Sequence, residues 1–382
     1  MAFMSRLCFA GVVAVCATVI LAARPLAALD YVTIKRGGSE QQLAGRVEVE
    51  AADGALLFQT PDGSQWMLLK DEIVSRRNDG KPFAPLTQDE LARQLQGELP
   101  RFKIHKTRNY LIAYNTSDVY AQWVGALFER LHAGFYNFWK TAGAELHEPE
   151  FPLVALLFKD QASYEQHARR DLGSSPGSIF GYYSLTTNRM TTYDLTGVEE
   201  AGGAKSAGRI QQILSQPKAE RTVATIIHEA THQLSFNSGL QVRFTEMPFW
   251  LSEGLAIYFE SPDLDNSKGW KKIGAVNRVN LLHFRKAIRT RPGLAQLLTD
   301  DKLFRDPKTS ADAYSEAWAF TYFLIRTRRD AYVKYLHALA QRPLMVYQGP
   351  DERLKEFQQF FGTDLAALET EFLQHIQRVR DN

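Results

Sequence analysis

The chain has 382 residues, 45% of them apolar and 23% charged, and a formal net charge of +2. That composition excludes a disordered or fibrous protein. The length passes the roughly 250–300 residues at which a single core stops growing, so more than one domain is expected. Arg6 and Arg24 both lie in the N-terminal segment, which leaves the body close to neutral and gives no reason to expect nucleic acid or an anionic membrane as partner.

The N-terminal segment reads as an export signal. Arg6 supplies a positive start, residues 7–23 carry no charge, Pro25 breaks any helix, and Ala27 and Ala28 offer small residues for cleavage. Residues 1–29 are therefore assigned to a signal peptide, and the protein is expected to be periplasmic or extracellular, with no stable membrane association once the signal is removed. The alternative is a retained anchor, because the apolar run sits at the lower limit of about 17 residues for a membrane span. Cys8 and Cys16 both fall in this segment. Val15 rather than a small residue precedes Cys16, so a lipoprotein signal is not expected. A mature chain without cysteine has no disulfide, thiolate nucleophile or Cys-ligated metal, and any metal site must use His and carboxylates.

Residues 30–79 read as a small β-meander, with strands at 43–50, 55–60 and 64–69 and turns at Asp53-Gly54 and Asp62-Gly63. Its expected role is accessory binding or docking, with inert packing as the alternative. Residues 80–100 are assigned as a linker, from the Asp-Gly and two prolines of 78–85, followed by a short helix that Thr87 and Glu90 open as a capping box.

The main domain is placed at 101–382. A strand is expected at 109–114. A helix capped by Ser117 or Asp118 follows, with a core stripe of Val119, Trp123, Leu127, Leu131 and Phe135. A buried strand at 152–158, a helix at 161–171 and two strands around 186–188 come next. Residues 195–216, rich in Gly, Ala and Ser, read as a loop that could gate a site beside it. Beyond 218 the pattern is almost wholly helical. The fold class is thus α+β: a mixed sheet followed by a helical subdomain, preceded by the meander.

The chemistry sits in two short stretches. Residues 225–234 read Thr-Ile-Ile-His-Glu-Ala-Thr-His-Gln-Leu. On a helix, His228 and His232 share a face and can reach one ion, with Glu229 beside them as a base for a metal-activated water. Val223, Ile226, Ile227 and Leu234 bury the helix, where two His and a Glu are costly without partners. Such residues can also be satisfied core groups. A third ligand is expected at Glu253, in Pro248-Phe-Trp-Leu-Ser-Glu-Gly-Leu-Ala, because a lone carboxylate in so apolar a helix needs a cation. The competing partner is an arginine such as Arg243. Gly254 would let this helix approach another closely. Ser235 and Ser238 stand where a metzincin would have Gly and His. His283 and His337 lack ligand spacing and read as surface or satisfied groups, and Trp318 reads as core.

These stretches resemble the gluzincin branch of the zincin metallopeptidases, and more narrowly an exported bacterial group within it. The shared residues are His228-Glu-Ala-Thr-His-Gln-Leu, Gly239-Leu, the Pro248 stretch with Trp250, Leu251, Glu253 and Gly254, and Ala313-Tyr-Ser-Glu-Ala-Trp. The resemblance spans roughly 105–380 and leaves the meander out. It implies a zincin-like fold, a Zn2+ cofactor held by His228, His232 and Glu253, peptide or protein substrates, and hydrolysis with Glu229 as general base. It also implies a second electrophile from a later helix, for which Tyr314 is the candidate; a half-buried helix aromatic is its alternative. A carboxylate orienting a ligand His is expected too, with Glu260 and Glu316 as unresolved choices. Two other functions remain in play: a binding protein that keeps the metal as a staple, and hydrolysis of a non-peptide amide.

Overall fold

A computed structural model describes residues 28–173, 180–194, 208, 217–260 and 273–380. The expected signal segment up to residue 27, and all of the expected 195–216 loop except Gly208, lie outside the described residues. No helix among the described residues is long and apolar enough to cross a membrane.

The N-terminal unit is a five-stranded antiparallel sheet of β1 (Ala28–Arg36), β2 (Ser39–Glu50), β3 (Leu56–Gln59), β4 (Gln65–Leu68) and β5 (Ile73–Pro82), ordered β4-β3-β2-β1-β5. Alternate residues Val32 and Ile34 of β1 face Leu43, Leu56, Phe58 and Leu68 in a small core. Two of these strands, β1 and β5, were not expected. β5 runs through the stretch read as linker, pairing Asp30 with Asn78 and Ala28 with Pro82. It is an exposed edge strand, where neither Gly80 nor Pro82 interrupts a ladder on both sides, so breaker residues mislead.

The second unit is mixed. Helix α1 (Gln88–Glu98) opens on the Thr87–Glu90 capping box. Strands β6 (Lys103–Lys106), β7 (Tyr110–Tyr114), β8 (Leu153–Phe158), β9 (Gly181–Tyr183) and β10 (Arg189–Tyr193) form a sheet ordered β6-β7-β8-β10-β9. β7, β8 and β10 are parallel, and the two edge strands are antiparallel. β6, unexpected from sequence, is a short Lys-Ile-His-Lys edge. The period-2 rule sorts the central strands: Tyr110, Ile112, Leu153, Ala155 and Leu157 face one core, while Leu111, Ala113, Val154 and Leu156 face the other. Helices α1 and α3 (Gln161–Leu172) cover the second face. On the first lies α2 (Asp118–Thr141), capped by Ser117 accepting from the Tyr120 amide, with Leu127, Leu131 and Phe135 wholly buried.

The rest is helical: α4 (Pro217–Asn237), α5 (Phe249–Phe259), α6 (Arg278–Lys286), α7 (Leu294–Thr299), α8 (Ser310–Thr327), α9 (Arg329–Ala340), α10 (Pro350–Phe361) and α11 (Leu365–Arg378). The architecture is therefore an N-terminal antiparallel sheet unit followed by a mixed sheet and a helical region, as the pattern predicts. α5 is apolar on every side and every residue from Trp250 to Phe259 is buried, the mark of a central helix rather than a surface one. It crosses α8 at Gly254. A Cβ there would collide with the Thr321 hydroxyl and sit 2.5 Å from the Ala317 carbonyl oxygen.

Helix propensity alone would make Gly254→Ala stabilising by about 1 kcal/mol. Overpacking against a backbone carbonyl reverses the sign, and the substitution should cost about 1–3 kcal/mol in urea denaturation. A variant as stable as the parent would show that the α5–α8 approach is not constrained there.

Candidate metal centre

α4 carries His228 and His232 one turn apart, and α5 brings Glu253 against them. The Nε2 atoms of the two histidines are 3.1 Å apart. Glu253 Oε2 lies 3.2 Å from His228 Nε2, and Glu253 Oε1 lies 3.5 Å from His232 Nε2. All three side chains are buried, Glu253 completely. Metal–ligand bonds of about 2.0–2.1 Å in a tetrahedron set ligand atoms roughly 3.3 Å apart, so these separations straddle the edge of such a site. Glu253 Oε1 has no hydrogen-bond partner. An unspent carboxylate oxygen at zero exposure, facing two imidazole nitrogens, fits a cation in their midst. The three residues form a buried cluster that could hold a metal ion.

The electrostatics agree. Burial lowers the His228 pKa, but the Glu253 and Glu260 carboxylates outweigh it and push the value up to about 10. Burial would raise the Glu253 pKa, yet the two histidines hold it at about 2. The pocket thus demands positive charge, and a proton meets that demand when nothing larger does. Arg243 is not the counter-charge for Glu253: its Nη1 donates to the Leu185 carbonyl at 3.0 Å instead.

The back sides of the imidazoles are also met. Glu260, at the C-terminal cap of α5, turns Oε2 to 3.5 Å from His228 Nδ1, while its Oε1 accepts from Asn277 Nδ2 at 3.2 Å. Ser252 Oγ lies 3.4 Å from His232 Nδ1 and donates to Gln241 Oε1 at 3.2 Å. The open choice between Glu260 and Glu316 is resolved by geometry. Glu316 is committed to Arg291 and to the Gly293 amide, and burial pushes its pKa up to about 7.

Glu229 is buried beside the cluster, and its Oε2 accepts from the backbone amide of Tyr183 at 2.9 Å. Burial raises its pKa, against the pull of both histidines. The donor comes from β9, the sheet edge. Tyr183 was invisible to sequence reasoning because a backbone N–H carries no residue signature. Gln233 was also missed: its Nε2 donates to the carbonyls of Val154 and Asn188, fastening α4 to the sheet. Its signal was a second polar side chain beside His232 on a buried helix.

Tyr314 lies in the first turns of α8, edge-on to Phe304 with centroids 5.2 Å apart. Burial raises its hydroxyl pKa well above the ordinary value, and the charges of Glu253 and Glu229 add to the rise, so the phenol lies within electrostatic reach of both. His283 is paired with Asp312 at 2.7 Å, His337 is exposed, and Trp318 is buried core.

A family model described as "Protein of unknown function (DUF1570)" matches residues 222–345. The match covers less than half of the chain, includes His228, Glu229, His232, Glu253, Glu260 and Tyr314 but not Tyr183, and assigns no function. No curated protein matches.

Two outcomes test the centre. His228→Ala or Glu253→Gln should remove stoichiometric metal from the purified protein, as read by elemental analysis; full occupancy in both variants would dissolve the site. Glu260→Ala should retain the site but weaken metal affinity about 10- to 100-fold in chelator competition, the usual effect of losing a carboxylate behind a ligand histidine.

Proposed function

We propose that the protein is an exported zinc metallopeptidase of gluzincin type, acting on peptide or protein substrates. The observation that carries this reading is the joint placement of Glu229 and the three converging ligand atoms on one buried helix pair. A purely structural metal site has no use for a second carboxylate beside its ligands. Two imidazoles and one carboxylate suit zinc and leave a coordination position free. Zinc bound there would supply a water acidified to a pKa of about 7 and polarise a substrate carbonyl.

The chain's own residues do the rest. Glu229 Oε2 is pinned by the Tyr183 amide, which leaves Oε1 to take a proton from the attacking water and pass it to the departing amine. A carboxylate whose pKa is raised by burial is better matched to that exchange than an exposed one. The Tyr314 hydroxyl, kept protonated, is a hydrogen-bond donor for the oxyanion that forms as the carbonyl is attacked. Export rests on the N-terminal sequence pattern alone.

Glu229→Gln keeps an oxygen for the Tyr183 amide, so fold and metal content should persist. Losing the base should lower kcat by about 10²- to 10⁴-fold on a peptide-library substrate. Unchanged chelator-sensitive cleavage would remove Glu229 from this role. Zinc content without cleavage of any peptide would favour a metal-stapled binding protein or a non-peptide amide as substrate.

A further inference from the structure

We propose that Arg243 is an anion-recognising group beside the same metal-binding cluster, so that a substrate carboxylate docks on it within two or three residues of the scissile bond. This deepens the metallopeptidase reading and rests on it. Arg243 lies in the connection between α4 and α5 and is only 6% exposed. A guanidinium offers five N–H donors. The hydrogen bond it makes is Nη1 to Leu185 O at 3.0 Å, and no carboxylate among the described residues comes within the 4.0 Å of an ion pair. Other buried arginines are settled differently. Arg353 grips Asp301 at 2.9 and 3.0 Å, Arg291 is held by Glu316 and Glu369, and Arg342 lies between Glu246 and Glu356.

The two acids whose charge acts on Arg243 from beyond ion-pair distance are held by other partners. Glu48 pairs with Arg46 at 2.5 Å, and Asp62 accepts from Thr60 and Ser64 hydroxyls. A buried cation without a counter-charge is costly, and burial accordingly pushes the Arg243 pKa down. The backbone beside it is strained as well: Phe244 holds φ at +63°, a left-handed conformation that disfavours a bulky side chain.

Its position joins this unmet charge to the metal centre. In the antiparallel β9–β10 pair the Ser184 amide points inward, to Arg189 O at 2.9 Å. Alternation turns the neighbouring Tyr183 amide to the free edge, where it meets Glu229. Leu185, two residues beyond Tyr183, supplies the carbonyl that Arg243 takes. Glu229 and Arg243 are thus tied to one stretch of backbone spanning no more than about 10 Å. A substrate reacting beside Glu229 reaches the guanidinium with a group a few residues away. A carboxylate there would complete a planar, bidentate pair.

The test uses the zinc-loaded full chain and peptide pairs that differ only by Glu or Gln at each position from third before to third after the cleaved bond. A further pair with free and amidated C-termini separates a side-chain from a terminal carboxylate. One carboxylate position should raise kcat/KM about 10- to 100-fold, and Arg243→Gln should abolish that discrimination. Should that variant not fold, Arg243→Lys should weaken the discrimination, because an ammonium cannot make the fork. Binding of the same labelled pairs to zinc-loaded Glu229→Gln protein, with and without the Arg243 change, reads the contact without turnover. Cleavage with no carboxylate preference at any position overturns the arginine assignment and leaves the peptidase reading intact. No cleavage at all sinks the peptidase reading, and the binding arm then decides Arg243: tighter binding of one carboxylate peptide, lost on substitution, supports it, and equal binding overturns it.

Discussion

The structure turns on one carboxylate, that of Glu253, held at zero exposure inside a helix that is apolar on every face. An ionised carboxylate in such a place is costly by several kcal/mol unless opposite charge meets it. The opposite charge is arranged from a second helix, by two imidazoles whose spacing is one helical turn. Each neighbouring feature follows from keeping that encounter in register. α5 must come close to the rest of the helical core, so Gly254 faces the Ala317 carbonyl with no side chain between them. α4 must not rotate about its axis, so Gln233 and Asn237 pin it to β8 and to the β9–β10 turn.

The same buried charge shapes its surroundings. Glu260 and Ser252 face the outer nitrogens of His228 and His232, so each ring has a polar neighbour on both sides and its orientation is fixed before any ion arrives. This is a costly assembly to retain for packing alone. Apolar residues of similar volume would fill the space at no desolvation cost.

Much of this was legible in the sequence because it is periodic. His228 and His232 at a separation of four, the apolar flank of α4 and the all-apolar α5 around one Glu are patterns that helix geometry converts directly into proximity. Gly254 was legible as a small residue beside Glu253 that would permit close helix approach. What the sequence did not disclose depends on angles between elements. Glu260 shares a helix with Glu253, but which histidine it faces is decided by how α5 crosses α4, and no spacing encodes that crossing. The choice between Glu260 and Glu316 therefore stayed open until both were placed. Arg243 shows the converse. Its proximity in sequence suggested a partner for Glu253, and the chain turns it away to Leu185. Among the strands that were missed, β5 and β6 are edge strands half in water that carry charges, Gly and Pro, which removes the alternation that marks buried strands, while β1 begins inside the segment assigned to the signal.

The β9–β10 hairpin is where the two units of the chain and the candidate metal centre meet. Its Tyr183 amide holds Glu229, its Leu185 carbonyl holds Arg243, and its Thr186 carbonyl accepts from the Gln65 amide of β4 at 2.7 Å. Asn188 fixes the turn from inside. Its backbone takes φ of +59°, a conformation Asn tolerates better than most residues, and its side chain reaches both the Tyr183 hydroxyl and Asn237. Because Asn237 ends α4, the helix bearing the histidines and the strand whose amide holds Glu229 are clamped through one asparagine pair. The N-terminal sheet is then more than an appended unit. It is hydrogen-bonded to the turn that carries the donor for Glu229, and Asp62 beside that contact lies 3.6 Å from Arg189 at the start of β10. The Thr186 carbonyl, bonded to the N-terminal sheet, lies three residues beyond the Tyr183 amide, bonded to Glu229, so one short stretch of backbone carries both contacts.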